Sequence, residues 1–314
     1  MAPFEQGLLT ATGPVLVIRP VDGFGLDEFK HVTIEQGFAP AANRLEQQGF
    51  TVVPRAEGRF GMVLLQLTRS KLENLCNIAR ACAMSEGVVL VDGAKTDGIE
   101  SLLKAVKKVT PVEVISKQHG KVFWFAATEM PAAWLSAGQM AKNKAGFFSA
   151  PGMFSHEKVD AGSALLAPHL LALRGRVADL GAGWGWLSQQ ALGPELSEVV
   201  LYEAEHMALE AAKLNIADKR ASFIWADVLH LPKTPPFDVV ISNPPFHQSR
   251  LAEPEIGIGF IRAAAKILKP KGRLLLVANR QLPYERPLEA HFRKWKMIEQ
   301  TDGFKLFEAS LPKA

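Results

Sequence analysis

The run Phe237-Asp238-Val239-Val240-Ile241-Ser242-Asn243-Pro244-Pro245-Phe246 decides how the rest of the chain is read. Its apolar and β-branched front half reads as a strand buried on both faces of a parallel sheet. Its back half reads as a rigid loop at the strand's carboxyl end, because neither proline can donate to a sheet ladder. In an open parallel sheet, that is the end where ligands sit.

Such a loop suits one chemical problem, methylation of an exocyclic amino nitrogen. The lone pair of that nitrogen is drawn into its ring or amide, so it is a poor nucleophile. Two acceptors below the amine can take its N–H bonds and turn the lone pair toward a methyl donor. Asn243 offers a side-chain amide oxygen. Pro244 offers a carbonyl, and Pro245 restricts Pro244 to an extended conformation. Phe246 offers a ring face for a flat base. No strong base is required, since the proton leaves after the nitrogen has become cationic. Catalysis would rest on orientation and on dipoles placed in advance. An ordinary proline turn could carry the same tetrapeptide, so the weight of the reading lies upstream.

Upstream, Val177-Ala178-Asp179-Leu180 runs into Gly181-Ala182-Gly183-Trp184-Gly185-Trp186. Closely spaced glycines leaving a strand and entering a helix let backbone approach a ligand. A nicotinamide fingerprint would place its third glycine where Trp186 stands. The acid Asp179 just before the loop would repel a pyrophosphate and suits a cofactor bearing an amino group. Glu203 closes the next strand and can accept both hydroxyls of a ribose. Asp227 closes the one after, placed to accept from an adenine amine with the Val228 N–H beside it. Singly, each acid reads as a solvated loop residue or a helix cap. Together with the glycine loop, at consecutive strand ends, they read as the rim of a cofactor site.

These residues resemble those of class I S-adenosylmethionine-dependent N-methyltransferases. Pro151-Gly152-Met153-Phe154-Ser155, Asp160-x-Gly162-Ser163, Asn243–His247, Val277-Ala278-Asn279 with Leu282-Pro283-Tyr284, and Phe304-Lys305 resemble more closely the ribosomal RNA small subunit methyltransferase C family. The resemblance is specific from about Pro151 onward and rests mainly on architecture before it. It implies methyl transfer from S-adenosylmethionine to guanine N2 in small-subunit (16S) ribosomal RNA, with a degenerate N-terminal copy of the methyltransferase domain. Asn243, Pro244, Pro245 and Phe246 would then form the catalytic loop. Asp179, Gly181, Ala182, Gly183, Gly185, Glu203, Asp227 and Val228 would hold the cofactor. His247 would touch base or phosphate, and Arg280 and Lys305 would meet RNA phosphates. Glu203 stands where the family more often has Asp, and Trp184 and Trp186 would narrow the pocket.

The wider pattern fits. Strands and helices alternate in both halves, which implies a doubly wound α/β sheet with an antiparallel hairpin at its edge. Hairpins are expected around His119-Gly120 and around Asp302-Gly303. Val15-Leu16-Val17-Ile18 echoes Val177–Leu180, and Phe60-Gly61-Met62-Val63 echoes Phe237–Val240. The first copy has Arg19-Pro20 instead of a glycine loop, and Gln66-Leu67-Thr68-Arg69 is expected where Ser242–Pro245 stand. Two tandem Rossmann-like class I methyltransferase domains follow, the first keeping the fold signals without the chemistry. The expected divisions are 1–130 for the degenerate copy, 131–150 for a linker and 151–314 for the catalytic domain.

Composition sets the class. The chain has 314 residues, 48% hydrophobic, with a net charge of +4. Its mean hydropathy is +0.06 and its pI about 9.0. These describe a globular protein with a substantial core, compatible with a polyanionic partner. Cys76 and Cys82, close together in one helical segment, indicate neither a disulfide framework nor a zinc site, and no metal is expected. Met1–Glu5 lacks a basic region before an apolar run, and no apolar run is long enough to span a bilayer, so a cytoplasmic protein with no membrane partner is expected. Lys104, Lys107, Lys108 and Lys117 make the first half locally basic. Other substrates for the same chemistry are large-subunit RNA guanine, DNA adenine N6 and a release-factor glutamine. A non-catalytic RNA-binding assembly factor is the reading from another class.

Overall fold

The computed structural model describes residues 2–23, 25–26, 28–245 and 254–313. Two compact units emerge: Met1–Met140 with Ala150–Gly152, and Ala141–Ser149 with Met153–Ala314. The first contains β1 (Val15–Ile18), β2 (Val32–Glu35), β3 (Thr51–Val53), β4 (Phe60–Gln66), β5 (Ser85–Ala94), β6 (Glu113–Lys117) and β7 (Gly120–Ala126). The second contains a small hairpin, β8 (Ala141–Lys142) and β9 (Phe148–Ser149), and then a large sheet. That sheet comprises β10 (Gly175–Leu180), β11 (Leu196–Glu203), β12 (Ala221–Trp225), β13 (Phe237–Ser242), β14 (Leu268–Asn279), β15 (Phe292–Gln300) and β16 (Phe304–Pro312).

Both large sheets have seven strands in one and the same order, β3-β2-β1-β4-β5-β7-β6 and β12-β11-β10-β13-β14-β16-β15. The first five in each pair in parallel, and the final hairpin adds antiparallel. The duplication expected from the echoes is thus a duplication of topology.

Central strands are apolar on both faces because helices cover both. Val177, Val199 and Val239 pack with Leu187, Leu209 and Ala212 on one side. Ala178, Leu180, Tyr202 and Val240 pack with Phe260, Ile261 and Ala264 on the other. Each such Val, Leu or Ile, sealed from water, contributes about 1.5–3 kcal/mol of transfer free energy. The first unit repeats the scheme, with Leu16, Ile18, Val63 and Leu65 on one face and Val15, Val17, Met62 and Leu64 on the other.

The stretch between about 131 and 150 carries its own structure, a helix at Ala132–Ala137 followed by β8 and β9. Cys76 and Cys82 share one helix as expected, Lys71–Met84, with the Ser70 side chain accepting from the Glu73 N–H as its cap. Strands β2 and β3, the helix Ala39–Gln47 between them and the helix Glu285–His291 were not expected from the sequence. One alignment of the copies needs correcting. Ile18 pairs with Leu65 as Leu180 pairs with Ser242, so Gln66, not Leu67, occupies the position of Asn243. The tetrapeptide beginning at Gln66 therefore aligns from Asn243 onward, one residue later than the sequence echo suggested. Among the described residues no helix is long and apolar enough to cross a membrane.

Candidate active site

Strand β10 ends at Leu180, and the chain turns through three glycines with left-handed φ, Gly181 at 76°, Gly183 at 56° and Gly185 at 85°. A side chain at Gly181 would also come within 3.1 Å of the Phe260 ring, and one at Gly185 within 3.0 Å of Ala212 and Ile216. Gly183 differs, since a Cβ there would meet nothing within 4 Å. Its backbone faces open space, the geometry of a loop that lets a ligand approach the main chain.

Two carboxylates stand beside this turn. Asp179 is fully buried. Its Oδ2 accepts from the Ser188 hydroxyl at 2.8 Å, while Oδ1 has no hydrogen-bond partner among the described residues. Burial pushes its carboxyl up to about 7; the Ser188 hydrogen bonds oppose the shift and the charge of Glu203 adds to it. Glu203 accepts the Gly183 N–H at 2.7 Å through Oε2 and the Glu205 N–H at 2.7 Å through Oε1. Burial raises its pKa as well, against those backbone hydrogen bonds. Each Glu203 oxygen keeps a further lone pair for an outside donor. A buried acceptor without a partner, paired with a bare backbone edge, fits a zwitterionic nucleoside cofactor carrying an ammonium group.

Asp227 caps the short helix Val228–His230, its Oδ1 accepting from the Leu229 N–H at 2.9 Å. Its Oδ2 lies 2.8 Å from His230 Nδ1. Val228 is buried. The carboxylate is thus already engaged on both oxygens, in the helix-cap role that the sequence allowed for a single acid and with His230 as a partner it did not show.

The loop after β13 begins with a tether, since the buried Ser242 hydroxyl donates to the Leu180 carbonyl at 2.7 Å. That bond locks the start of the Asn243 loop to the start of the glycine turn. Pro244 is buried and Pro245 exposed. The Asn243 amide donates from Nδ2 to Asp160 Oδ2 at 2.7 Å and to the Ser163 hydroxyl at 2.8 Å. Its Oδ1 is buried and has no partner among the described residues. Phe246 and His247 lie outside the described residues.

A small cleft brings Gly181, Ala182, Gly183 and Asn243 together with Asp160, Ser163, Phe154, Trp184 and Trp186. The two tryptophans do line it, as the sequence suggested. Trp184 Nε1 donates to the Phe154 carbonyl at 3.3 Å, and Asn215 bridges the Trp184 and Phe148 carbonyls at 2.8 and 2.9 Å. Arg280 and Lys305 are not among the lining residues. Lys305 is bound to Glu285 at 2.5 Å and is 14% exposed, whereas Arg280 is 49% exposed and 3.9 Å from Asp302. Among the described residues no group of three or more His, Cys, Asp or Glu could hold a metal ion.

A doubly wound sheet with an acid-flanked glycine turn, an acid closing the neighbouring strand and Asn-Pro-Pro after the central strand defines a class I methyltransferase domain. Residues 144–308 match the family model of the methyltransferase small domain. Ribosomal RNA small subunit methyltransferase C of Shewanella sp. (strain MR-4) is 29% identical over 306 residues, spanning 93% of this chain and 88% of that protein. The protein of the same name from Hahella chejuensis (strain KCTC 2396) is 32% identical over 248 residues, 74% of this chain and 71% of its own. The chain belongs to the ribosomal RNA small subunit methyltransferase C family. Its fold follows that of the T. thermophilus 16S rRNA N2 G1207 methyltransferase, solved in complex with AdoMet and guanosine, with a TM-score of 0.82 and 24% identity over 97% of this chain and 90% of that one.

Proposed function

We propose that the protein transfers a methyl group from S-adenosylmethionine to the exocyclic N2 of a guanosine in small-subunit ribosomal RNA. Family membership supports the substrate class. The observation that carries the chemistry is the Asn243 amide, whose two donors are bound within the protein while its acceptor is left over beside the glycine turn. An oxygen offered without a donor selects an N–H group and rejects a carbonyl.

The cofactor supplies a sulfonium-bound methyl group when bound. Gly181, Ala182, Gly183 and Gly185 form its backbone cradle, Asp179 faces its ammonium, and Glu203, Asp227 and Val228 serve its ribose and adenine. Asn243 Oδ1 and the Pro244 carbonyl take the two N–H bonds of the amine and hold its lone pair toward the methyl. S-adenosylmethionine held there would give up its methyl group to the nitrogen and leave as the thioether, and the methylated nitrogen would pass its proton to solvent. Phe246 and His247 would meet the base, which must leave its stack to arrive. Exposed Arg280 suits a phosphate contact better than Lys305, which Glu285 already neutralises. Residues 151–314 carry this chemistry, residues 1–130 support it, and the partner is ribosomal RNA or the small subunit in the cytoplasm.

Label transfer tests the reading. Radiolabelled S-adenosylmethionine is offered with small subunits, large subunits, their free RNAs, DNA and release factor, and the products are digested to nucleosides or residues. Labelled N2-methylguanosine from small-subunit RNA is expected. Label in N6-methyladenosine, methylglutamine or large-subunit RNA alone would overturn the substrate.

A further inference from the structure

We propose that Asp160 and Ser163 are positioning residues for the methyl transfer, fixing which way the Asn243 amide faces. The inference rests on Asn243 being the acceptor for the amine. An amide side chain is nearly symmetric in shape, and a half-turn about its last bond exchanges oxygen for nitrogen. With the oxygen toward the cleft, Asn243 accepts from an amine. With the nitrogen there, it would oppose the amine donor to donor. Something must choose.

Asp160 makes the choice by offering only an acceptor. Its Oδ2 lies 2.7 Å from Asn243 Nδ2. Turned over, the amide would set Oδ1 against a carboxylate oxygen with no hydrogen between them, which is repulsive. Ser163 cannot choose alone, because a hydroxyl both donates and accepts. At 2.8 Å from the same nitrogen, it takes the second N–H and fixes the plane of the amide. Asp160 is itself held, since its Oδ2 also accepts the Ser163 N–H at 2.9 Å as the cap of the helix Ala161–Leu166. Gly162 completes the device. A Cβ there would fall 2.9 Å from the Phe304 ring and 3.1 Å from Asp160 Oδ2, so only glycine lets the Phe304 ring close over this turn. The motif Asp160-x-Gly162-Ser163 is thus an orientation clamp spanning more than seventy residues of sequence.

Three variants test the clamp by kcat, with cofactor affinity and binding stoichiometry measured by titration on the full chain. Asp160→Ala frees the amide and is expected to lower kcat about a hundredfold, the scale of misplacing a reacting group. Ser163→Ala loses one of the two bonds and should lower it roughly three- to tenfold, from the loss of one ordinary hydrogen bond. Asp160→Asn is the rescue. The Ser163 N–H demands an oxygen at the cap, so the new amide keeps an oxygen where Oδ2 was, and kcat should stay within about threefold of the parent. Cofactor binding should remain at one per chain in all three, which a merely unstable fold would not give.

Asp160→Ala with parental kcat, while Asn243→Ala is inactive, would overturn the clamp and leave the Asn243 reading standing. Asp160→Asn as inactive as Asp160→Ala would also overturn it, because orientation would not be what Asp160 supplies. Full activity in Asn243→Ala would remove the reading beneath it, and the clamp with it.

Discussion

The two copies of the sheet end their first strands in the same backbone shape with opposite purposes. At the position of Gly181, whose φ is 76°, the first copy has Arg19, whose φ is 61°. Both donate their N–H to the neighbouring strand, Arg19 to Glu35 at 2.8 Å and Gly181 to Tyr202 at 2.9 Å. The left-handed turn has survived the loss of its glycine, although a non-glycine residue there carries about 1–2 kcal/mol of strain. The Arg19 guanidinium binds Glu73 at 2.8 Å and Gln36 at 3.3 Å, so the space above the turn is filled by the chain itself. Glu35, on the next strand, is gripped through both oxygens by Arg80 at 2.7 and 2.8 Å. Gln66, at the position of Asn243, has its amide oxygen taken by the Val21 N–H at 2.9 Å. In the second copy, Asp179 and Asn243 each keep an acceptor without a partner among the described residues. One copy spends its polar groups on itself, and the other holds them for a ligand. The lesson is that a degenerate domain is recognised by satisfied polar groups as much as by lost motifs.

The largest expected contrast lies in the paired substitutions Asn243→Ala and Gln66→Ala. Removing one pre-placed polar group from a transition state costs about 10²- to 10³-fold in rate. Asn243→Ala should therefore lose that much methyl transfer in a label assay, while Gln66→Ala should change it less than twofold, roughly the noise of surface effects. An equal loss in both would erase the division of labour.

Next in size is the buried ion pair of the first copy. Burial alone would raise the Glu35 carboxyl, yet the hydrogen bonds and charge of Arg80, the Ala56 N–H and the charge of Arg55 hold it below the usual carboxylate range. Arg80→Ala leaves that carboxylate buried without its fork, and urea unfolding of the first unit should weaken by about 3–5 kcal/mol. The sign with pH follows from the lowered value. The stability due to Glu35 is present above the unfolded carboxylate pKa and is lost as pH falls through its lower folded value. Unfolding monitored near Trp124 and Trp134 as acid is added should show that loss.

Asp179 gives the opposite sign. Its folded carboxyl sits at about 7, above the roughly 3.9 of an unfolded chain. The folded state keeps a proton that the unfolded state has shed, so the stability due to this group is complete below about pH 4 and is lost as pH rises through about 7. Asp179→Asn should therefore melt increasingly above the parent as pH goes from 5 to 8 in the absence of cofactor. If the cofactor's ammonium pairs with the ionised form, parental binding should tighten about tenfold between pH 6 and 8, following linkage, and the variant should lose that dependence. A parental Kd flat across this range would detach Asp179 from the ammonium.

The smallest effect concerns the shared turn. Arg19→Gly relieves the left-handed strain but gives up the Glu73 pair, so its net change in stability should lie within about 1 kcal/mol. Gly181→Ala adds strain and crowds Phe260, and should destabilise by about 1–2 kcal/mol while weakening cofactor binding. Thermal melts with and without cofactor would separate the two.

Much of this was legible in the sequence. The strands Gly175–Leu180 and Phe237–Ser242 were legible, because each is an apolar run between breaker residues, Gly175 and Gly181 around the first and Pro236 and Pro244 around the second. What escaped reading was short or long-range. β2 has four residues and β3 three, too few to display a period, and β3 is half exposed. The helix Ala39–Gln47 has no side-chain cap, so its only start signal is Pro40 in the first turn. Asp160 and Ser163 were visible as parts of a motif, but their bonds to Asn243 cross 83 and 80 residues, and nothing local in the sequence encodes them. The one-residue slip at Gln66 came from matching hydrophobic tails where strand register decides.

The division of labour between the copies is tested most directly by calorimetric titration of the full chain with S-adenosylmethionine. One site per chain is expected. Asp179→Asn should weaken that site at pH 8, and Arg19→Gly and Gln66→Ala should leave it untouched. Two sites, or a single site lost on changing Arg19 or Gln66, would contradict it.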